Sequence, residues 1–492
     1  MKTGIRVPSR RWLALAAVLL ATFMDLVDVT IVNVALPRIQ DDLDAGYAAG
    51  QWMAAVYALA YALLLITGGR LGDIVGRRRV FLAGIVGFTI ASAVAAAAFT
   101  PGMLICARAA QGAFAGIMVP QALSVITVQF APGRERTLAF SLYGGLLGVA
   151  QVSGPILGAV LTEHGLLGWR AIFLVNIPVG LIAFAGAARW MDDSRAEPPP
   201  RLDPVGVALI SAASLLLMFP LVQGREYGWP WWCAALLVAA VPALLAFAAY
   251  ERRRERRNSG PLVPPRLFAQ RSFTAGLVLA LALFAGVSAC FITLTWGLQF
   301  GLGWPPMKVA LTGLAWPAGV ACTAQYTHRH GHARARRLVG AGTLVMAVAL
   351  AGLSVLVAVG EPTPAAMVPW LFAAGLGMGL ALPILANAVI SDVPVHDAGA
   401  ASGVFNSITQ LGGVAGVAAA GLLYFAAAHG TAAAGTASTA AAPDGTARAL
   451  AFSAAACLAA AALSGLLPRS IASDDPGRLP FSDTVETSGR PR

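Results

Sequence analysis

The chain has 492 residues, 58% of them hydrophobic and only 12% charged, with a formal net charge of +11. A soluble domain carries roughly a quarter charged residues, so the composition excludes an ordinary soluble protein and fits an all-α polytopic membrane protein. The positive balance does not mark nucleic acid as a partner, because the basic residues sit in short clusters between apolar runs, as membrane topology demands. Apolar runs of about 20 residues predict helices over 12–35, 48–69, 80–99, 103–125, 138–162, 169–190 and 203–223. Seven more follow over 230–250, 273–297, 307–327, 337–358, 366–390, 400–425 and 449–467, giving fourteen spans.

The first run starts behind Arg10 and Arg11 like a secretory signal, but it outruns such a segment and carries Asp25 and Asp28, so it reads as a retained helix. A carboxylate near mid-bilayer costs about 2.5–3.5 kcal/mol even on insertion scales, and residues three apart share a helix face. The pair points to proton or cation handling inside the membrane. Behind the second run come Gly69, Asp73, Gly76, Arg77 and Arg78. The glycines permit a tight turn and close helix approach, Asp73 can pair with arginine or sit near a helix N-terminus, and the arginines anchor the cytoplasmic face.

The fourth run contains Arg108. At 1.5 Å per residue, Asp25 and Asp28 lie roughly 18 and 23 Å from the cytoplasmic end of their helix, and Arg108 about 6–8 Å in from the opposite face. In a core of about 30 Å these are similar levels. A carboxylate whose arginine partner moves between states can load and release protons; a static ion pair joining two helices is the alternative. In the fifth run, Gly145, Gly154, Pro155 and Gly158 allow backbone-to-backbone packing and a bend.

The cluster Glu251 to Arg257, followed by Pro261, Pro264 and Pro265, marks a boundary between bundles. It divides the chain into a six-helix bundle over 1–198, two inserted helices over 199–260, a second six-helix bundle over 261–468 and a polar tail over 469–492 expected to be disordered. Gly148–Gly154 and Gln410–Gly416 align as a weak repeat, each in the fifth helix of its bundle. The Ala-, Gly- and Thr-rich stretch 426–448 is expected to be flexible. With loops assigned alternately to two sides, only Arg38, Arg170, Arg225, Lys308 and Arg448 fall opposite the termini, and Arg108 lies within a span. This bias predicts both termini in the cytoplasm. The five cysteines are scattered singly without metal-ligand spacing, and neither lysine follows a phosphate-binding loop. No cofactor, metal or enzymatic activity is expected.

The segment from Gly69 to Arg79 closely resembles the signature loop between helices two and three of the major facilitator superfamily. Asp28 to Pro37 resembles the first-helix motif of its fourteen-helix drug:proton antiporter branch, and Leu104 to Gly112, ending at Pro120, the fourth-helix motif of proton-coupled members. Gly145, Gly154, Pro155 and Gly158 match the fifth-helix antiporter motif, and Gly168 to Pro178 is similar to the sixth-helix opening of the same branch. The resemblance runs from about residue 12 to 467 and is densest in the first half. It implies a major facilitator fold of two six-helix bundles plus two inserted helices, proton coupling at Asp28 and Arg108, and gating by the Gly69–Arg78 loop and the fifth-helix motif; Asp25, outside the motif, joins the proton-coupling set as a like-charged neighbour that tunes Asp28. The chain departs from the pattern in the second half, where the loop 327–337 is basic but lacks an aspartate and no acid lies at membrane depth in the last six helices.

Polar and aromatic residues in apolar helices are the substrate-binding candidates, since apolar pockets with few polar groups suit amphipathic ligands. In the first half these are Asn33, Gln51, Trp52, Tyr57, Tyr61, Gln121 and Gln151; in the second, Trp296, Gln299, Asn387, Asn406 and Gln410. The expected function is proton-coupled export of hydrophobic or cationic small molecules by alternating access, from a monomer in the inner cell membrane whose partners are substrate, protons and the lipid bilayer. Alternatives are a narrow self-resistance exporter of one endogenous metabolite and a membrane sensor that no longer transports.

Overall fold

Helices begin and end where the sequence supplies caps and breaks. In the computed structural model, which describes residues 10–467 except 46, 132–133, 165–166, 196–202, 225–226, 258–259, 331–333, 361, 392, 395–396 and 433–441, the first half contains α1 (Arg10–Asp42), α2 (Tyr47–Val75), α3 (Arg77–Ala96), α4 (Pro101–Gln129), α5 (Arg134–His164) and α6 (Asn176–Trp190). Gly76 separates α2 from α3 at φ +116°, a conformation that only glycine adopts cheaply. The Thr100 side chain accepts from the Met103 N–H at 3.2 Å to cap α4, with Pro101 at its first position. Asp203 does the same for α7 (Pro204–Gln223), accepting from the Gly206 N–H at 3.0 Å. The chain continues as α8 (Trp231–Arg256), α9 (Arg271–Thr295), α10 (Pro306–Gly313), α11 (Ala315–His330), α12 (Ala335–Val359), α13 (Pro364–Ser391), α14 (Ala398–Ala432) and α15 (Ala442–Leu463).

Every predicted span overlies helix. Twelve of the helical segments are long and apolar enough among the described residues to cross a membrane. The sixth predicted span opens as a 3₁₀ turn at Gly168–Arg170, the ninth closes in a π-helical turn at Trp296–Gly301, and the tenth divides into α10 and α11. The stretch 426–448, expected to be flexible, instead extends α14 to Ala432 and opens α15 at Ala442, because alanine has the highest helix propensity of any residue. The tail 469–492 and residues 433–441 lie outside the described residues.

In the first half, α1 packs on α5 and α6, α2 on α4, and α3 on α4 and α6; in the second, α9 packs on α14 and α15, α12 on α13 and α15, and α11 on α13. The halves meet along two seams, α2 with α14 and α5 with α11 and α13. Helices α7 and α8 pack on each other, and α7 lies against both α2 and α14, outside the first seam. Large apolar side chains face outward, among them Ile90, Leu181, Val238, Leu245 and Val348, which suits lipid rather than water. At the far end of α1, Asp42 accepts from the Trp169 Nε1–H at 2.9 Å and from Arg170 Nη1 at 2.8 Å, tying α1 to the start of the sixth span. The indole hydrogen bond first, and the guanidinium next, hold the Asp42 carboxyl below the usual carboxylate range.

Candidate functional site

Apolar neighbours on α1, α2, α4 and α6 exclude water around one polar cluster. Asp28 is fully buried on α1, and three donors converge on it: Arg108 Nη1 from α4, Gln111 Nε2 from α4 at 3.1 Å and Asn176 Nδ2 from α6 at 2.7 Å. Ser92 on α3 accepts from Gln111 at 2.8 Å and from Asn176 at 3.3 Å, which fixes both amides. Arg108, 2% exposed, also donates to Gln111 Oε1 at 3.0 Å and to the Met53 carbonyl at 3.3 Å. Its guanidinium lies 4.4 Å from the centroid of the Tyr57 ring, a cation–π contact. The Tyr57 hydroxyl in turn donates to Asp25, one turn below Asp28 on α1. The seven side chains form one connected network holding two carboxylates and one guanidinium, so a single added proton makes it neutral.

Tyr57, a substrate candidate by sequence, therefore belongs to this network, and Tyr61 stacks beside it at 6.1 Å. Ser92, Gln111 and Asn176 were not assigned a role by the sequence, although Gln111 and Asn176 lie inside the fourth- and sixth-helix motifs. Neutral polar residues in helices are mostly interhelical glue, and nothing in the string distinguishes these three. Their only signal is that they sit at helical spacing beside charged or motif residues.

A second cluster lies at the α2–α14 seam. Asp73 is fully buried, pairs with Arg77 at 2.6 Å, and accepts from the backbone N–H groups of Gly399 and Ala400, both at 3.2 Å. A carboxylate from one half thus occupies the N-terminus of a helix from the other, where the free N–H groups and the helix dipole favour negative charge. Gly69 and Gly399 let the two backbones touch, since a Cβ on either would strike the other's carbonyl. Arg70 bonds the Pro261 carbonyl at 2.7 Å and faces Asp397 Oδ1 at 3.7 Å, while Arg266 reaches Asp397 Oδ2 at 2.6 Å. The second half, which lacks an aspartate in its 327–337 loop, still supplies an acid here: Asp397, just before α14. Arg78 donates to the Ala188 carbonyl of α6.

The fifth-helix glycines divide. Gly154 sits against Thr30 and Ile31 of α1, Gly158 is buried, and Gly145 faces α11 with Val320 Cγ1 4.0 Å from its ideal Cβ position. Pro155 lies inside α5 between them. The other substrate candidates do not converge. Gln121 joins α4 to α2 by donating to the Gly68 carbonyl at 2.7 Å. Trp52 faces α7, 6.2 Å from the Phe219 ring, and Trp296 pairs with Tyr424 at 5.8 Å. Asn387 and Asn406 are buried, Asn406 donating to the Ser402 carbonyl at 3.0 Å, and Gln299 and Gln410 are half-buried. The side chains of Asn33, Gln51 and Gln151 lie outside those described.

The profile of the Major Facilitator Superfamily matches residues 18–417. The chain is 40% identical over 424 residues to the probable actinorhodin transporter of Streptomyces coelicolor, covering 85% of this chain and 73% of that protein. It is 36% identical over 416 residues to the puromycin resistance protein pur8 of Streptomyces alboniger, covering 83% and 81%. In fold it is similar to the human organic anion transporter MFSD10 (TETRAN), with a TM-score of 0.64 at 18% identity, covering 93% of this chain and all of that one.

Proposed function

The chain belongs to the major facilitator superfamily, and on that footing we propose that it is a proton-coupled antiporter that exports hydrophobic or cationic small molecules by alternating access. One observation carries this reading: Asp25, Tyr57, Arg108 and Asp28 form a continuous buried network at membrane depth. An ion pair merely joining helices needs one acid, whereas this arginine serves a cluster of two. Proton exchange at Asp28 requires Arg108 to withdraw, because every partner Asp28 has in this state is a donor. Movement of α4 relative to α1 supplies that withdrawal and links protonation to access.

The fourteen spans fall into bundles over 1–198 and 261–468 with α7 and α8 inserted, and the charge bias supports cytoplasmic termini in the inner membrane. The seam held by Asp73 is then the cytoplasmic gate, closed in this state, and α5 forms part of the opposite one. A narrower reading, export of one endogenous metabolite, is favoured by relatives named for actinorhodin and puromycin. The test is efflux from proteoliposomes of purified protein under an imposed pH gradient, with ethidium and with secondary metabolites of the producing cell. Asp28→Asn is expected to abolish uphill efflux in protein that still elutes as a folded species. Wild-type rates in that variant would remove the coupling assignment.

A further inference from the structure

A cavity lies away from the charged network. It has a volume of about 520 Å³ and lies outside the α2–α14 seam, roofed by α7 and α8. Small-molecule pockets span about 300–1,000 Å³, so this one holds a ligand of drug size. None of the substrate candidates read from the sequence lines it. Its walls are apolar, with Ile66 of α2, Met218 of α7, Phe247 of α8 and Val404 of α14 contributing. Leu244 and Phe268, 39% and 47% exposed, form its lip, so the cavity opens sideways toward lipid.

At one end of this apolar chamber stands Glu251, 1% exposed. Its Oε2 accepts from the Val263 N–H at 3.0 Å, while Oε1 is buried with no hydrogen-bond partner among the described residues. An unpaired buried carboxylate oxygen is costly, on the order of several kcal/mol, and a ligand donor removes that cost. The neighbouring acid is already supplied with donors. Asp203, fully buried and capping α7, already takes Arg254 Nε at 3.3 Å and the Tyr250 hydroxyl at 2.9 Å. Arg252 lines the mouth with its side chain exposed to solvent.

We propose that this cavity is a binding site for amphipathic amines, separate from the central network, with the apolar body lying between α2, α7, α8 and α14 and the ammonium on Glu251 Oε1. A head that carries only negative charge and no donor is disfavoured by the same oxygen. The site does not depend on proton coupling. Because its walls include α2 and α14, an occupant touches both halves across the seam that Asp73 latches.

The experiment uses the full chain in phosphatidylcholine nanodiscs, photolabelled with a long-chain alkylamine bearing an aliphatic diazirine and, separately, with the carboxylate of equal length. The amine is expected to label α7, α8 and α14 peptides about tenfold more than the carboxylate, and Glu251→Gln to lower amine labelling by about tenfold, the worth of one charge-assisted hydrogen bond. Ala213→Trp, which fills the chamber, removes the labelling; Ser407→Phe does so from the opposite wall should the first variant fail to fold. Labelling unchanged in Asp28→Asn separates this site from the antiport reading, whose failure leaves it standing. Labelling that falls when phosphatidylethanolamine is added identifies a lipid as the source of the amine, and undiminished labelling a free solute. Equal labelling by amine and carboxylate, unaffected by Glu251→Gln, overturns the proposal and leaves an unselective greasy crevice.

Discussion

At the scale of single residues, the network sets two buried carboxylates and one guanidinium among neutral donors. Asp25, Asp28 and Arg108 stand out because a charge in an apolar run has no cheap explanation. Ser92, Gln111 and Asn176 carry no such penalty, so only the folded helices reveal that all three serve Asp28. The ion pair sets a measurable stability. Asp28→Leu leaves the Arg108 guanidinium buried without its counter-charge, and breaking a buried pair from one side costs about 3–5 kcal/mol. Asp28→Leu with Arg108→Leu restores most of that loss, because two apolar groups of similar volume leave nothing uncompensated. Unfolding midpoints in detergent for the two single variants and the double variant give the coupling. Additive effects would mean that the pair is not the dominant partner of either group. Tyr57 gives a finer contrast: Tyr57→Phe keeps the ring beneath Arg108 and loses only the hydrogen bond to Asp25. That variant is expected to keep its thermal stability within about 1.5 kcal/mol while losing most proton-driven efflux, whereas Tyr57→Leu loses both.

At the scale of elements, the motif between α2 and α3 was legible as a turn with an acid and basic residues, but its partner was not. The partner is a pair of backbone N–H groups at the start of α14, and backbone donors leave no mark in a sequence. Asp397 was passed over for a related reason: beside a loop, an acid reads as solvated, whereas here it is 2% exposed and faces Arg70 and Arg266. The seam offers a direct test of gating. Ser124 of α4 and Ser402 of α14 approach with their hydroxyl oxygens 3.2 Å apart, so cysteines at both positions are expected to cross-link in the closed state. With Cys106 and Cys322, the exposed native thiols, replaced by alanine, oxidation of Ser124→Cys/Ser402→Cys should stop transport and reductant should restore it. Adding Asp73→Asn removes charge from the α14 N-terminus and is expected to slow cross-linking several-fold. Transport that continues in fully cross-linked protein would mean that this seam does not open.

At the scale of the whole molecule, hydrophobic run length located the helices, while their packing had to come from the structure. The positions of α7 and α8 show why: both read as ordinary spans, yet they lie outside the α2–α14 seam and create a chamber that no motif announces. Charge bias bears on sides and says nothing of neighbours. The proposed antiport is likewise a property of the assembled molecule, and it makes the broadest prediction. If a cationic substrate and a proton favour opposite states of the Asp25–Asp28–Arg108 network, binding substrate must expel a proton, and by linkage a rising proton concentration must weaken substrate binding. The sign follows directly: affinity falls as pH falls, by up to tenfold per pH unit for each proton released. Titration of purified protein from pH 5 to 9 measures the slope, and proton release on binding in weak buffer counts the same protons independently. Asp28→Asn should flatten both together, since a group that cannot titrate cannot exchange. Agreement between slope and released protons identifies one shared site, whereas affinity constant across the range, with no proton released, would leave the fold intact and remove antiport as its mechanism.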